Sequence, residues 1–215
     1  MKKMARSTDK LISLGTDSIG LAPPRFRTNI LESLGELGRE LAGFLKRRNG
    51  FYAFESALHV FPACQKKGIM DLETWNDPGL WRGHFGDMAS GIVFFAEGIF
   101  GDQFGIKGRE IVRFEAETGL AEPVADSLEG WAGLILKDYR YQTGYPLAHK
   151  WQEVHGALPV GQRLVAITPF VLGGDFDVSN LFVLDAVKAM RYHGDFALQI
   201  RNAPNGTKIK FEIGD

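Results

Sequence analysis

Apolar residues recur at helical spacing from Ile30 through Leu34, Leu37, Leu41, Phe44 and Leu45, which predicts one buried helix face. Asn29 with Glu32 three residues on suits a capping box at its start. Lys46-Arg47-Arg48 complement the dipole at its end, and Asn49-Gly50 supplies the stop. Residues 51–62, FYAFESALHVFP, are rich in aromatics and β formers and read as extended structure. Trp75 and Trp81 flank an Asp-Pro-Gly turn, and two such rings so close together suit a core.

Over residues 91–119 the pattern shortens. Ile92–Phe95 is a wholly apolar run, as a buried strand requires. Gln103–Ile106 and Glu110–Glu115 follow across Gly101 and Gly108, so the three segments are expected to be antiparallel neighbours. In the last, Val112 and Phe114 face one way while Ile111, Arg113 and Glu115 face the other. Asp126 with Glu129 then announces a helix striped by Leu128, Trp131, Ile135 and Tyr139.

Further on, YPLAHKW predicts a helix after Pro146, and Leu164–Leu172 is an apolar piece bounded by Pro and Gly. A strand at 180–185 leads into a last helix bearing Ala186, Met190, Ala197 and Ile200. A turn at Pro204-Asn205-Gly206 precedes a final strand, where Ile209, Phe211 and Ile213 alternate with charged residues. Residues 1–28, with their Ser, Thr, Asp, Gly and paired prolines, read as a loosely ordered lead-in to a single domain over 29–215.

Composition narrows the function classes. The 215 residues are 45% hydrophobic and 24% charged with a formal net charge of −1, so bulk charge favours neither nucleic acid nor an acidic membrane. Charge is uneven along the chain. Residues 1–48 hold ten Lys/Arg against five Asp/Glu, and residues 97–138 hold nine Asp/Glu against four Lys/Arg. No apolar run reaches the roughly 20 residues of a membrane span, and the basic N-terminus lacks a secretory apolar core. Cys64 is the single cysteine, which excludes an internal disulfide and suits a reducing, cytoplasmic setting.

Candidate chemistry is sparse. There is no G-x-S-x-G, no phosphate loop and no G-x-G-x-x-G. His149 and His155 could serve a metal, but they lack a flanking carboxylate pattern. Glu97 and Asp102, beside the turn in AEGIFGDQF, are the best-placed carboxylate pair. Leu172-Gly173-Gly174-Asp175-Phe176 echoes part of a diguanylate cyclase signature but lacks the Glu-Phe that should follow.

The order of landmarks is more telling than any one of them. A Leu-rich helix ends at Asn49-Gly50, an aromatic strand spans Phe51–Phe61, and Trp75 and Trp81 follow. Then come Phe94-Phe95-Ala96-Glu97, Phe100-Gly101-Asp102-Gln103-Phe104, the Glu117-Thr118-Gly119 turn and a helix holding Trp131. Over about residues 29–139 this order resembles the SUKH superfamily, which includes the yeast cell-wall-assembly regulator and many bacterial relatives. Residues 140–215 resemble an extension of that core found in some bacterial members.

The resemblance implies an α+β fold: a mixed, mainly antiparallel sheet of about five to six strands with helices packed on it, and a C-terminal helix–strand extension. It also implies function by association, without catalytic residues, metal or cofactor. The reading that follows is an immunity protein that binds and neutralises a bacterial toxin of nuclease or deaminase type. A regulatory module that binds an endogenous protein is the alternative, and a metal- or carboxylate-dependent enzyme is a third. For an immunity protein, an acidic surface would compete with nucleic acid for a basic toxin face. Glu97, Asp102, Glu110, Glu115, Glu117 and Glu122 are the candidate partner-binding residues; alternatively, they are edge charges that discourage strand pairing.

Overall fold

Six short strands form one antiparallel meander, each lying beside the next in sequence. They are β1 (Phe51–Ala53), β2 (Leu58–Val60), β3 (Ile92–Gly98), β4 (Gln103–Lys107), β5 (Glu110–Phe114) and β6 (Ala121–Ala125). The helices are α1 (Ser7–Ser13), α2 (Gly35–Arg47), α3 (Leu72–Trp75), α4 (Leu128–Lys137), α5 (Tyr139–Thr143), α6 (Tyr145–His155) and α7 (Ala186–Asn202). A separate two-stranded sheet pairs β7 (Gln162–Ala166) with β8 (Leu181–Asp185). This computed structural model describes residues 6–64 and 68–203, and the fold is α+β. The strand expected at 208–213 and the turn before it lie outside the described residues.

The 91–119 stretch forms the expected three strands. Phe104 pairs with Ala96 on one side and Arg113 on the other, and a bulge in β3 between Phe94 and Ala96 shifts the register. Gly105 is required at this crossing, because a Cβ there would lie 2.4 Å from Cγ2 of Ile92. Phe94, Phe95, Phe104 and Phe114 are fully buried, together with Trp75, Trp81 and Trp131. Phe95 and Phe104 meet the Trp131 ring edge-on at 4.9 and 5.8 Å. Each such ring contributes roughly 1.5–3 kcal/mol by leaving water. Trp75 also donates to Oε1 of Gln103 at 2.8 Å, so its polar end is satisfied inside the core.

The apolar interior has two parts. The larger joins the meander to α1, α2 and α4 and, through Trp75, Trp81, Phe85 and Met190, to α3, the turn at 82–85 and α7. The smaller gathers Ala57, Ile99, Leu147, Ala148, Trp151, Leu158, Leu164, Ala166 and Leu181. Residues 140–185 thus carry a core of their own, seated on the β1–β2 and β3–β4 turns.

Several boundaries depart from the sequence reading. Residues 7–13 are helical rather than a loose lead-in. Leu11 is fully buried, and the Glu129 carboxylate accepts from the Ser7 amide and from the Thr8 hydroxyl at 2.9 Å. Glu129 therefore caps α1, while Ser127 caps its own helix by accepting from the Gly130 amide at 3.2 Å. The Asn29 capping box does not form. Glu73 takes the amides of Arg27 and Thr28, and the regular helix starts only at Gly35, after a 3-10 turn at Glu32–Leu34.

Asn49 does more than stop a helix. Its buried side chain donates to the carbonyls of Leu21 and Ala63 and accepts from the Ala63 amide. The extended segment at 51–62 is a hairpin whose turn puts Phe54, Glu55 and Ser56 at φ of 53, 52 and 67°. Such a left-handed run in residues with a Cβ is strained. It is held by Phe54 stacked on Tyr139 at 4.7 Å and by Glu55 bound to His149. Strand β6 holds Pro123 opposite Val112; it lies at the sheet edge, where a missing amide is tolerated.

Candidate functional site

The central stretch divides its carboxylates between two environments. The first is a closed network. Glu97, only 2% exposed, is bound by Nη2 of Arg163 from β7 and by Nδ1 of His59 from β2 at 2.9 Å. Nε2 of Gln103 reaches its other oxygen at 3.3 Å. Burial alone would raise the Glu97 carboxyl, but the Arg163 charge and the His59 hydrogen bond outweigh it and hold the group below the usual carboxylate range. Burial pushes His59 down despite the Glu97 hydrogen bond, so a neutral imidazole donates to a charged carboxylate. The network ties the small sheet to the large one. It offers Glu97 to no partner, which corrects its candidacy as a surface contact.

The second environment is a pocket of about 520 Å³ between the β3–β4 turn, the β5–β6 turn, the α5–α6 junction and the loop after β7. Its floor is apolar: Ile99, Phe100, Pro146, Leu147 and Phe170. Its charged groups are Asp102, Arg113, Glu115, Glu117, Arg140 and Lys150. The volume falls in the range of small-molecule and side-chain sites, about 300–1,000 Å³. Gly144, at φ 72°, closes the α5–α6 junction, where a Cβ would lie 2.5 Å from the Phe100 ring.

Three of the candidate residues converge here. Asp102 accepts from Nη2 of Arg113 at 2.5 Å and from the Ala116 amide at 3.0 Å. The Arg113 guanidinium also lies over the Tyr141 ring, 5.0 Å from its centroid. Glu117 accepts from the amides of Phe170 and Val171 at 3.0 and 2.8 Å, so it anchors the loop after β7. Burial raises the Glu117 carboxyl, against the pull of those two amides. Glu115 is half-buried and accepts from the Thr118 hydroxyl at 3.1 Å.

Glu110 and Glu122 lie elsewhere, exposed at the start of β5 and on β6, and neither side chain has an ion-pair partner among the described residues. The six acids do not form one acidic face. One is enclosed, two are tied to internal partners, one is half-covered and two stand apart.

The alternative chemistry finds no assembled site among the described residues. Glu97 does not line the pocket that holds Asp102, so the two carboxyls are not gathered in one cleft. His149 binds Glu55 at 2.8 Å and Glu153 at 3.5 Å, whereas His155 stacks on Trp151 and donates to its carbonyl. The Glu55 hydrogen bond raises His149 above its ordinary range. No group of three His, Cys, Asp or Glu side chains stands where it could hold a metal ion among the described residues. No helix among them is long and apolar enough to cross a membrane.

Sequence reasoning missed the aromatic side of the pocket. Phe176 is 73% exposed and Tyr141 is 65% exposed, and both stand at its rim. Phe176 stacks on Phe170 at 4.2 Å, and Phe170 meets Phe100 edge-on at 5.2 Å. The Leu172–Phe176 string, which echoes part of a cyclase signature, is thus the loop that presents Phe176. A lone aromatic between two aspartates in a Gly-rich loop was the available signal.

Neither a protein-family model nor a curated protein matches this sequence. The chain is similar to Atu4351 from Agrobacterium tumefaciens, a protein of known crystal structure. The match has a TM-score of 0.50 at 10% sequence identity, covering 82% of this chain and 85% of that one. At that identity the likeness concerns the fold alone.

Proposed function

We propose that this chain is a non-catalytic binding module, an immunity protein that occupies and neutralises a bacterial toxin of nuclease or deaminase type. The observation that carries the binding reading is the pocket, apolar at its floor and ringed by exposed aromatic side chains. Exposed rings around a preformed recess are the usual anchors of a protein interface. The toxin class follows from the SUKH resemblance over residues 29–139. The reading places the protein in the cytoplasm, where an immunity protein meets a toxin delivered to or made in the cell. It requires neither metal nor cofactor.

Co-expression with the toxin encoded beside its gene tests the reading. Rescued growth, with a stable complex of the purified proteins, is the expected outcome. Recovery of an endogenous host protein from native lysate, with no rescue, would instead favour a regulatory module on the same fold.

A further inference from the structure

We infer that the pocket takes a segment of the partner protein bearing an aromatic or long aliphatic side chain next to an acidic one. This rests on the reading of the chain as a protein-binding module and supplies the partner's chemistry. The apolar half of the argument comes from exposure. Tyr141, Val171 and Phe176 line the pocket and are exposed large hydrophobics, and the exposed Leu172 adjoins Val171 in sequence. Contiguous exposed apolar surface marks an interaction site. Here it continues out of the recess onto the surrounding loop, so the surface suits a chain segment whose anchor enters and whose neighbours lie across the rim.

The loop is built in advance. Asn180 accepts from the Thr168 amide at 2.8 Å and donates to the carbonyls of Thr168 and Asp175 at 3.0 Å. Glu117 takes the next two free amides, those of Phe170 and Val171. Gly174 permits the close return of the chain, since a Cβ there would meet the Thr168 carbonyl oxygen at 1.9 Å. Phe176 is therefore held out over Phe170 before any partner arrives, which reduces the ordering entropy of binding.

The acidic half comes from the charges still open. Asp102 and Arg113 neutralise each other, and Glu117 is bound to backbone amides. Glu115 is half-buried against Thr118. Arg140 and Lys150 line the same pocket, are exposed, and make no ion pair among the described residues. Lys150 acts on Asp177 only through space. Of the charged residues that line the pocket, only Arg140 and Lys150 are exposed, while Asp175 and Asp177 stand on the loop beside Phe176, so the lining itself presents positive charge at the mouth and suits carboxylates on the partner. This reverses the expectation of an acidic face meeting a basic toxin surface.

Selection of phage-displayed random dodecapeptides on the intact chain is the test. Enriched peptides should carry Phe, Trp, Tyr or Leu within two residues of Asp or Glu. Anisotropy titration of a labelled selected peptide should show about tenfold or greater weakening for Phe176→Ala. The charge reversal Arg140→Glu/Lys150→Glu should weaken it comparably at low salt, and a Lys-for-Asp peptide should recover binding to that variant. Glu110→Lys/Glu122→Lys should bind as the parent does. A basic or uncharged consensus, no enriched peptide, or unchanged binding by the pocket variants would overturn the inference. Toxin rescue is scored separately. Peptide binding without rescue removes the immunity reading and leaves the pocket chemistry. Rescue by pocket variants with undiminished toxin affinity removes the pocket inference alone.

Discussion

Glu97 and Asp102 are five residues apart, both flank the β3–β4 turn, and both pair with an arginine. Glu97 and Arg163 are each 2% exposed at the side chain, whereas Asp102 and Arg113 are 23% and 17% exposed and face an open pocket. The same pair of residue types is a clasp in one place and a lining in the other, and burial decides which. A charge enclosed without water depends wholly on its partner. A charge at a pocket wall can exchange partners with solvent or with a bound segment.

The largest expected effect tests the clasp. Glu97→Ala leaves the Arg163 guanidinium buried and uncompensated, which should lower the unfolding free energy by about 3–5 kcal/mol in urea melts. The double change Glu97→Gln/Arg163→Met should recover part of that loss, because it removes both charges. Asp102→Ala, on the open side, should lower stability by only about 1 kcal/mol. Equal losses from Glu97→Ala and Asp102→Ala would erase the distinction.

The open side should respond in binding rather than in folding. Phe176→Ala removes a ring that is 73% exposed, so stability should stay within about 0.5 kcal/mol of the parent. Partner affinity, measured by calorimetry on the toxin complex, should fall by at least about 2 kcal/mol. If stability falls and affinity does not, Phe176 belongs to the packing of the loop and not to its presented face.

Part of this division could be read from the sequence. The strands at 91–119, both tryptophans of the 71–86 segment and the helix at 128–137 follow from apolar spacing, which reports burial directly. The partners of the buried charges do not. Nothing near Glu97 in sequence points to Arg163, 66 residues away, or near Glu129 to Ser7 and Thr8. The excess of acids along 97–138 does not make an acidic face, because the tertiary fold pairs Glu97 with Arg163 and Asp102 with Arg113. Phe176 escapes for the converse reason: an isolated aromatic in a polar loop has no period, and only its stack on Phe170, which in turn meets Phe100 edge-on, gives it a role.

A pH titration separates the interior beneath the pocket from its surface. His193 is buried under the β3–β4 turn, close to Gly101, and burial lowers it to about 4. The unfolded imidazole binds its proton near 6.5. Between those values the unfolded state holds more protons, so unfolding becomes easier as pH falls. From pH 7 to 5 this group should lower stability by about 2 kcal/mol, and His59, also lowered by burial, acts in the same direction. Denaturant melts of His193→Leu should show a flatter dependence over that window. An unchanged slope would place the titration elsewhere.

The smallest effect expected is the one most telling for the acidic face. Glu110 and Glu122 are exposed and without ion-pair partners among the described residues, so Glu110→Ala/Glu122→Ala should leave stability within about 0.5 kcal/mol. They are also the carboxylates of the central stretch most open to a basic toxin surface, since Glu97 is enclosed and Asp102 and Glu117 are bound internally. If the partner reads a negative surface here, their loss should slow association at low salt by about tenfold or more. If it docks an acidic anchor segment between Phe176, Arg140 and Lys150, association should hold steady or quicken slightly. Stopped-flow association with the toxin at two salt concentrations distinguishes the two, because long-range attraction is screened over about 10 Å at 0.1 M salt while an aromatic anchor is not.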